Sequence, residues 1–212
     1  MGLLILRSSG SQAEFSDAFG SNANPIASPW VSPNVTNFFD VQTTGGIACG
    51  TVASDTGYPD CYAFHSGYSG DYEIEAGIFK SGSINTGINH EVELHVCMTQ
   101  NGTSVQSVEW LINQGGDWQC MKWEGANPGA PFFTEITPTG SGSPGAPSTG
   151  HRMKFRKIGT ALTMHYDSGG GFSERWAATS PFSSGGPGVA FFVRDGGNVQ
   201  HFGFTDVIIR PL

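Results

Sequence analysis

The chain has 212 residues, of which 31 are glycine, 12 are proline and only 13% are Asp, Glu, Lys or Arg, a composition that favours many short strands and tight turns over helices. Ten basic residues against eighteen acidic ones leave a net charge of -8, which repels a phosphate backbone and argues against nucleic acid as a partner. No stretch approaches the ~18 apolar residues of a membrane-spanning helix, and Leu3-Leu4-Ile5-Leu6 is too short and too weakly flanked for a secretory signal, so no membrane span is expected.

Taken in chain order, period-two alternation predicts strands over 3–7, 13–19, 36–43, 46–52, 60–66, 71–80, 90–99, 104–113, 117–124, 132–137, 151–158, 160–167, 172–178, 187–194 and 200–210. Clusters of glycine, proline, asparagine and serine separate them. The fold class this implies is all-β: a two-sheet antiparallel β-sandwich forming one domain over 1–212, with 1–8 as an N-terminal strand or docking arm. Several strands show which face is buried. Val92, Leu94 and Val96 alternate with Glu91, Glu93 and His95; Met153 and Phe155 alternate with Arg152, Lys154 and Arg156; Ile74, Ala76 and Ile78 oppose Glu73 and Glu75. Residues 138–150 are made of Gly, Pro, Ser, Thr and a single alanine, bury too little apolar surface to offset their ordering entropy, and are expected as a flexible loop.

Four cysteines complete the frame. Cys49 and Cys61 flank a turn-rich stretch containing Gly57 and Pro59, which would let them face each other across a hairpin and cross-link as a disulfide. Cys97 and Cys120 would lie one strand apart in a meander, a gap of roughly 10 Å, and are expected as thiols. No cysteine-histidine spacing fits a zinc site, so no metal cofactor is expected; Asp55, Asp60 and Asp167 lie in loops that could hold a structural calcium.

For chemistry, Asp71-Tyr72-Glu73-Ile74-Glu75 stands out, because alternate strand residues set Glu73 and Glu75 about 6.5–7 Å apart on one face. Paired carboxyl groups of this kind serve glycoside hydrolysis, although a solvated strand face explains them equally simply. Glu91, Glu93 and His95 would extend that polar surface if their strand neighbours 71–80, with Arg152, Lys154 and Arg156 neutralising it across the sheet. Glu73, Glu75 and His95 are therefore the catalytic candidates. Sugar recognition needs aromatic faces beside polar groups, and Trp118, Tyr62, Glu93, Arg152 and Arg156 are the candidates for it; Trp118 and Trp123 fall on opposite faces of one strand.

The two ends of the chain carry a recognisable order of motifs. Phe15-Ser16-Asp17-Ala18-Phe19 precedes Pro29-Trp30; later come Met153-Lys154-Phe155-Arg156-Lys157-Ile158-Gly159, Leu162-Thr163-Met164-His165-Tyr166, Trp176, Gly188-Val189-Ala190-Phe191-Phe192 and Phe202-Gly203-Phe204-Thr205-Asp206-Val207. This order resembles the concanavalin A-like lectin/glucanase jelly roll, a LamG-like β-sandwich superfamily. The resemblance implies that the last strand pairs with the first. Its glucanase branch places Glu-x-Asp-x-(x)-Glu on one strand, and the position two beyond Glu75 is Gly77, which breaks the pattern. Its alginate-type lyases use a His, Tyr, Arg and Gln constellation, for which His95, His165, Tyr166, Arg152 and Arg156 supply components without the local motifs.

With no entire catalytic motif and no leader, the sequence is read first as a non-enzymatic virion or extracellular surface component, such as a phage capsid-decoration or tail-associated protein able to adhere to glycans. Its expected partners are other virion or surface proteins, further copies of itself and glycans. The alternatives are a secreted carbohydrate-binding module and a glycoside hydrolase or polysaccharide lyase of the same fold.

Overall fold

Strands sort into sheets by which of their two faces can be buried, and here the alternating segments sort into two. The computed structural model describes residues 12–34, 37–54, 58–126, 132–194 and 196–212. Numbered in chain order, one sheet runs β11 (Thr139–Gly140), β14 (Ser173–Thr179), β13 (Ala161–Asp167), β12 (Arg152–Ile158), β6 (Tyr72–Lys80), β16 (Phe202–Pro211), β4 (Ile47–Gly50) and β3 (Val41–Thr44). A ninth strand, β1 (Phe15–Asp17), pairs with β16, so the last strand does join the first. The other sheet has seven strands: β10 (Phe133–Glu135), β9 (Trp118–Gly125), β8 (Ser104–Asn113), β7 (His90–Asn101), β15 (Gly186–Val193), β5 (Cys61–His65) and β2 (Trp30–Val31). Neighbouring strands within both sheets are antiparallel.

Between the sheets lies one continuous core. Val92, Leu94, Val96, Val108 and Ile112 from the seven-stranded sheet meet Ile74, Ala76, Ile78, Met153 and Phe155 from the nine-stranded one. Trp110 lies edge-on to Trp176 at 5.4 Å and to Phe155 at 6.3 Å. Each such fully buried aliphatic side chain stabilises the fold by about 1.5–3 kcal/mol relative to exposure. One bulge changes the face that β7 presents: the register against β8 shifts between Val96 and Thr99, and Cys97 takes φ +58°. There Tyr72 of the opposite sheet accepts a hydrogen bond from Cys97 N at 2.9 Å and donates one to Gly185 O at 3.1 Å, satisfying backbone groups that the bulge takes out of the ladder.

Among the described residues each predicted strand overlaps an observed one, although the segment 36–43 is strand only from Val41 onward, as β3. Strand 3–7 and most of the docking arm lie outside the described residues. Trp30–Val31 and Thr139–Gly140 pair as strands that alternation missed, each too short to show a period. Within 138–150, expected as a flexible loop, Thr139 and Gly140 pair with Ala177 and Trp176, Ser143 donates to Gly116 O at 2.6 Å, and Thr149 donates to Lys80 O at 2.9 Å, so backbone partners come from three neighbouring elements. The hairpin geometry expected for Cys49 and Cys61 is also corrected, since β4 and β5 belong to different sheets and both thiols are free. Cys97 and Cys120 are free thiols on β7 and β9, with β8 between them.

Candidate functional site

The two rows of acids seen in the sequence do not share a surface. β6 and β7 lie in different sheets, so Glu73 and Glu75 face outward on one side of the sandwich and Glu91, Glu93 and His95 on the other.

On the nine-stranded sheet Glu73, Glu75 and Asp206 each meet a guanidinium. Arg152 Nε donates to Glu75 Oε1 at 2.7 Å, while its Nη1 and Nη2 grip Asp206 Oδ1 and Oδ2 at 3.1 and 2.8 Å. Arg210 Nη1 donates to Glu75 Oε2 at 2.8 Å and to Glu73 Oε1 at 3.3 Å, and its Nε donates to Glu14. Burial works to raise the Asp206 carboxyl, but the Arg152 contacts outweigh it and hold the group below its usual range. Gly77 makes room for this knot: a side-chain carbon there would stand 3.0 Å from Arg152 Nη1 and closer still to Asp206 Oδ1 and Thr205 Oγ1. Glu73 and Glu75 are thus ion-paired beneath arginines, 9% and 8% exposed, and are not poised for catalysis.

The seven-stranded sheet presents a different surface. A pocket of about 300 Å³ opens on its outer face, floored by Asp60, Glu91 and Glu109. Tyr58, Phe133 and Phe192 supply aromatic walls, and Asn89, Gln119 and Arg194 add polar groups. Glu91 comes from β7, Glu109 from β8, and Phe192 from β15, each the outward member of an alternating pair, while Asp60 immediately precedes β5. Phe38, Phe132 and Trp123 pack beside it with Tyr62 in a second apolar cluster on this outer face.

Asp60 and Glu109 are buried and Glu91 half-buried, with Arg194 as the cation lining the pocket. Asp60 is pushed up to about 8, by burial first and then by the charge of Glu91; its Oδ2 has no hydrogen-bond partner. Burial raises Glu91 to about 7 against the pull of the Asn89 hydrogen bond and the Arg194 charge. Glu93 and Glu109 lie well above the carboxylate range, again by burial first and then by their acidic neighbours. Arg194 lines the pocket with its guanidinium carbon 5.1 Å from the Phe192 ring centroid, a stacking arrangement.

Beside the pocket the polar groups form a closed chain. Ser107 Oγ donates to Val96 O at 3.2 Å and lies 2.9 Å from His95 Nδ1, so the His95 Nδ1–H is the donor in that contact. That tautomer leaves Nε2 to accept, and Glu93 Oε2 is 3.2 Å away. Burial lowers His95 to about 3 and raises Glu93, so both are neutral and the contact is a carboxylic acid donating to an imidazole, not an ion pair. Trp123 seals it, edge-on to His95 at 4.6 Å, with its indole N–H bonded to Glu109 Oε2.

The structure therefore redistributes the sequence candidates. Trp118 turns inward and stacks on Trp176 at 3.4 Å between ring centroids, which removes it as a sugar platform. Tyr62 faces outward yet is fully buried, its hydroxyl bonded to Gln100 Oε1 at 2.6 Å. Arg152 and Arg156 belong to the other sheet, which also parts His95 from the remaining lyase-type components. Glu93 and His95 sit by the pocket but are sealed from solvent. Asp60, Glu91 and Glu109 form its floor; Glu91 and Asp60 were visible in the sequence, whereas Glu109 was signalled only by an acid standing between the core residues Val108 and Trp110. Among the described residues no group of histidine, cysteine and acidic side chains is placed to hold a metal ion, and Asp55 lies outside them. Asp167 spends one carboxylate oxygen on the Gly169 and Gly171 amides.

No family model and no curated protein sequence matches the chain. Solved structures do. The metal-free exoplasmic/lumenal domain of VIP36 matches over 94% of this chain and 91% of its own at 7% identity, with a TM-score of 0.60. Carbohydrate-binding module CBM66 from Bacillus subtilis matches over 86% and 92% at 14% identity, TM-score 0.53. A β-porphyranase from the gut bacterium Bacteroides plebeius matches over 93% and 91% at 14% identity, TM-score 0.51. Likeness at these identities is likeness of fold: the chain is a concanavalin A-like jelly roll, as its order of motifs implied. Its structural neighbours include carbohydrate-binding modules and glycoside hydrolases.

Proposed function

We propose that the chain binds a carbohydrate in the acid-floored pocket on the outer face of the seven-stranded sheet. One observation carries this reading: within about 300 Å³ the pocket combines the ring faces of Tyr58, Phe133 and Phe192 with the hydrogen-bonding edges of Asp60, Glu91, Asn89 and Gln119. A sugar ring has the matching anatomy, apolar C–H faces bounded by hydroxyl donors and acceptors. The carbohydrate-binding module and the porphyranase among the neighbours support it by their names alone. The virion role read first from the sequence finds no support in the fold or in these three neighbours. A glycan array on purified chain, repeated with Tyr58→Ala and Gln119→Ala, tests the proposal. Binding that both substitutions weaken is expected; a folded chain that retains no glycan on a broad array would end it.

Glycoside hydrolysis is the second reading, favoured by two carboxyl groups, Asp60 and Glu91, lining one pocket with burial raising both. A carboxyl group whose proton is held by burial is what acid catalysis on glycosides requires. Release of reducing ends from a polysaccharide panel, abolished by Glu91→Gln, would promote it over simple binding.

A further inference from the structure

We propose that this pocket selects sugars bearing a free, protonated amine, glucosamine-type units, over their N-acetylated or unsubstituted counterparts. The inference rests on the carbohydrate reading above and adds to it the chemical class of the ligand.

Its ground is a shortage of positive charge where a ligand would sit. From the segment before β5 comes Asp60, 5% exposed, lining the pocket with Oδ2 unpartnered. From β7 come Glu91 and Glu93, the latter with Oε1 also unpartnered and with neutral His95 behind it; from β8 comes Glu109. The cation lining the pocket, Arg194, is engaged over the Phe192 ring, and Lys122 on β9 is paired with Glu124 at 2.8 Å. On the other sheet the same kind of acid row is met by arginines at hydrogen-bond distance, so the chain builds matched ion pairs where it needs them for structure.

An ammonium group fits the gap. It carries one positive charge and three donors, enough to bond the half-buried Glu91 carboxyl and to place its charge beside the Asp60 carboxyl, whose unpartnered Oδ2 lies beneath the surface. The aromatic walls add a favourable face for a cation. A neutral hydroxyl could fill the hydrogen bond but not the charge, and an N-acetyl group removes the charge while adding bulk. When the ammonium enters, the burden that keeps the pair protonated is relieved, and a proton leaves the Asp60–Glu91 pair for the buffer; no covalent bond is made or broken.

Isothermal titration of the whole chain with chitosan, chitin and cello-oligosaccharides of equal length, in two buffers of different ionisation heat and at mildly acidic pH, tests this. The glucosamine oligomer should bind at least about tenfold more tightly than either other sugar, the margin expected of one charge-assisted hydrogen bond, and should release protons on binding. Asp60→Asn should erase that margin, and Glu91→Gln should reduce it; circular dichroism checks each variant's fold, so either one suffices if the other misfolds. Equal or weaker binding of the glucosamine oligomer, or a preference unchanged in the folded variants, overturns the inference and leaves the carbohydrate reading standing. A folded wild-type chain that binds none of these sugars and no glycan on the array overturns both.

Discussion

The two outer faces of the sandwich use nearly the same residues to opposite ends. On the nine-stranded sheet, Glu73, Glu75 and Asp206 are met by Arg152 and Arg210 in ion pairs, and the Arg152 contacts hold the Asp206 carboxyl below its usual range. On the seven-stranded sheet, Asp60, Glu93 and Glu109 are buried and Glu91 half-buried, with Arg194 stacked on Phe192, and burial raises all four. Burial alone therefore does not decide the state of a strand-borne acid; the nearest cation does. A fully paired face is finished structure, while an under-paired one is primed for a visitor.

The largest expected effect concerns what seats the under-paired face. Trp123→Ala removes a buried ring that caps His95, donates to Glu109 and packs with Phe38 and Phe132, and should cost about 3–5 kcal/mol in denaturant unfolding. A loss below about 1 kcal/mol would mean that this face is supported elsewhere. Arg152→Met comes next: leaving Asp206 without a cation and Glu75 with Arg210 alone, both half-buried or more, should cost about 2–3 kcal/mol by the same measurement, discounted from the fully buried case for solvent access. An unchanged midpoint would break the contrast between the faces at its paired end.

Proton linkage sharpens the comparison further. Asp60 and Glu91 have folded values raised to about 8 and about 7 from 3.8 and 4.5, so their stabilising contribution is complete at low pH and is lost as pH rises through those values. His95, lowered from 6.5 to about 3, acts in the other direction only below pH 6.5, which leaves the interval above 6.5 to the acids. Melting temperature should fall by roughly 3–6 °C between about pH 6.5 and 9. Asp60→Asn together with Glu91→Gln should make that fall shallower, Glu93 and Glu109 supplying what remains; a curve equally steep in the double variant would contradict the assignment. Asp206 has the opposite sign, its contribution being lost as pH falls below 3.8. The smallest change is Arg156→Met, whose Nε is 3.8 Å from Glu73 on a side chain 40% exposed; it should shift stability by less than about 0.5 kcal/mol.

Much of the fold was legible because alternation records which face of a strand is buried, and segments such as 71–80, 104–113 and 151–158 appear where that rhythm placed them. What alternation does not record is which strands neighbour. Glu73 and Glu91 looked like parts of one polar surface, and only the pairing of β6 with β12 and β16, against that of β7 with β8 and β15, sends them to opposite sides. The tryptophans show the same limit: parity correctly set Trp118 and Trp123 on opposite faces, but the inward one was Trp118, because Trp176 from the other sheet waits for it. The pocket itself draws on five strands and the segments around Asp60 and Arg194, so no local stretch could announce it.

Gly77 carries a lesson for anyone wishing to install an active centre in this scaffold. It interrupts the acid pattern on β6, and the obvious repair is to restore a carboxylate there. That repair would push a side chain into the Arg152–Asp206 clamp joining three adjacent strands, so Arg152, Asp206 and Thr205 would have to shift and the clamp would loosen before any chemistry could follow. The vacancy in the motif is a keyhole already occupied from next door, and engineering effort belongs on the opposite side of the molecule.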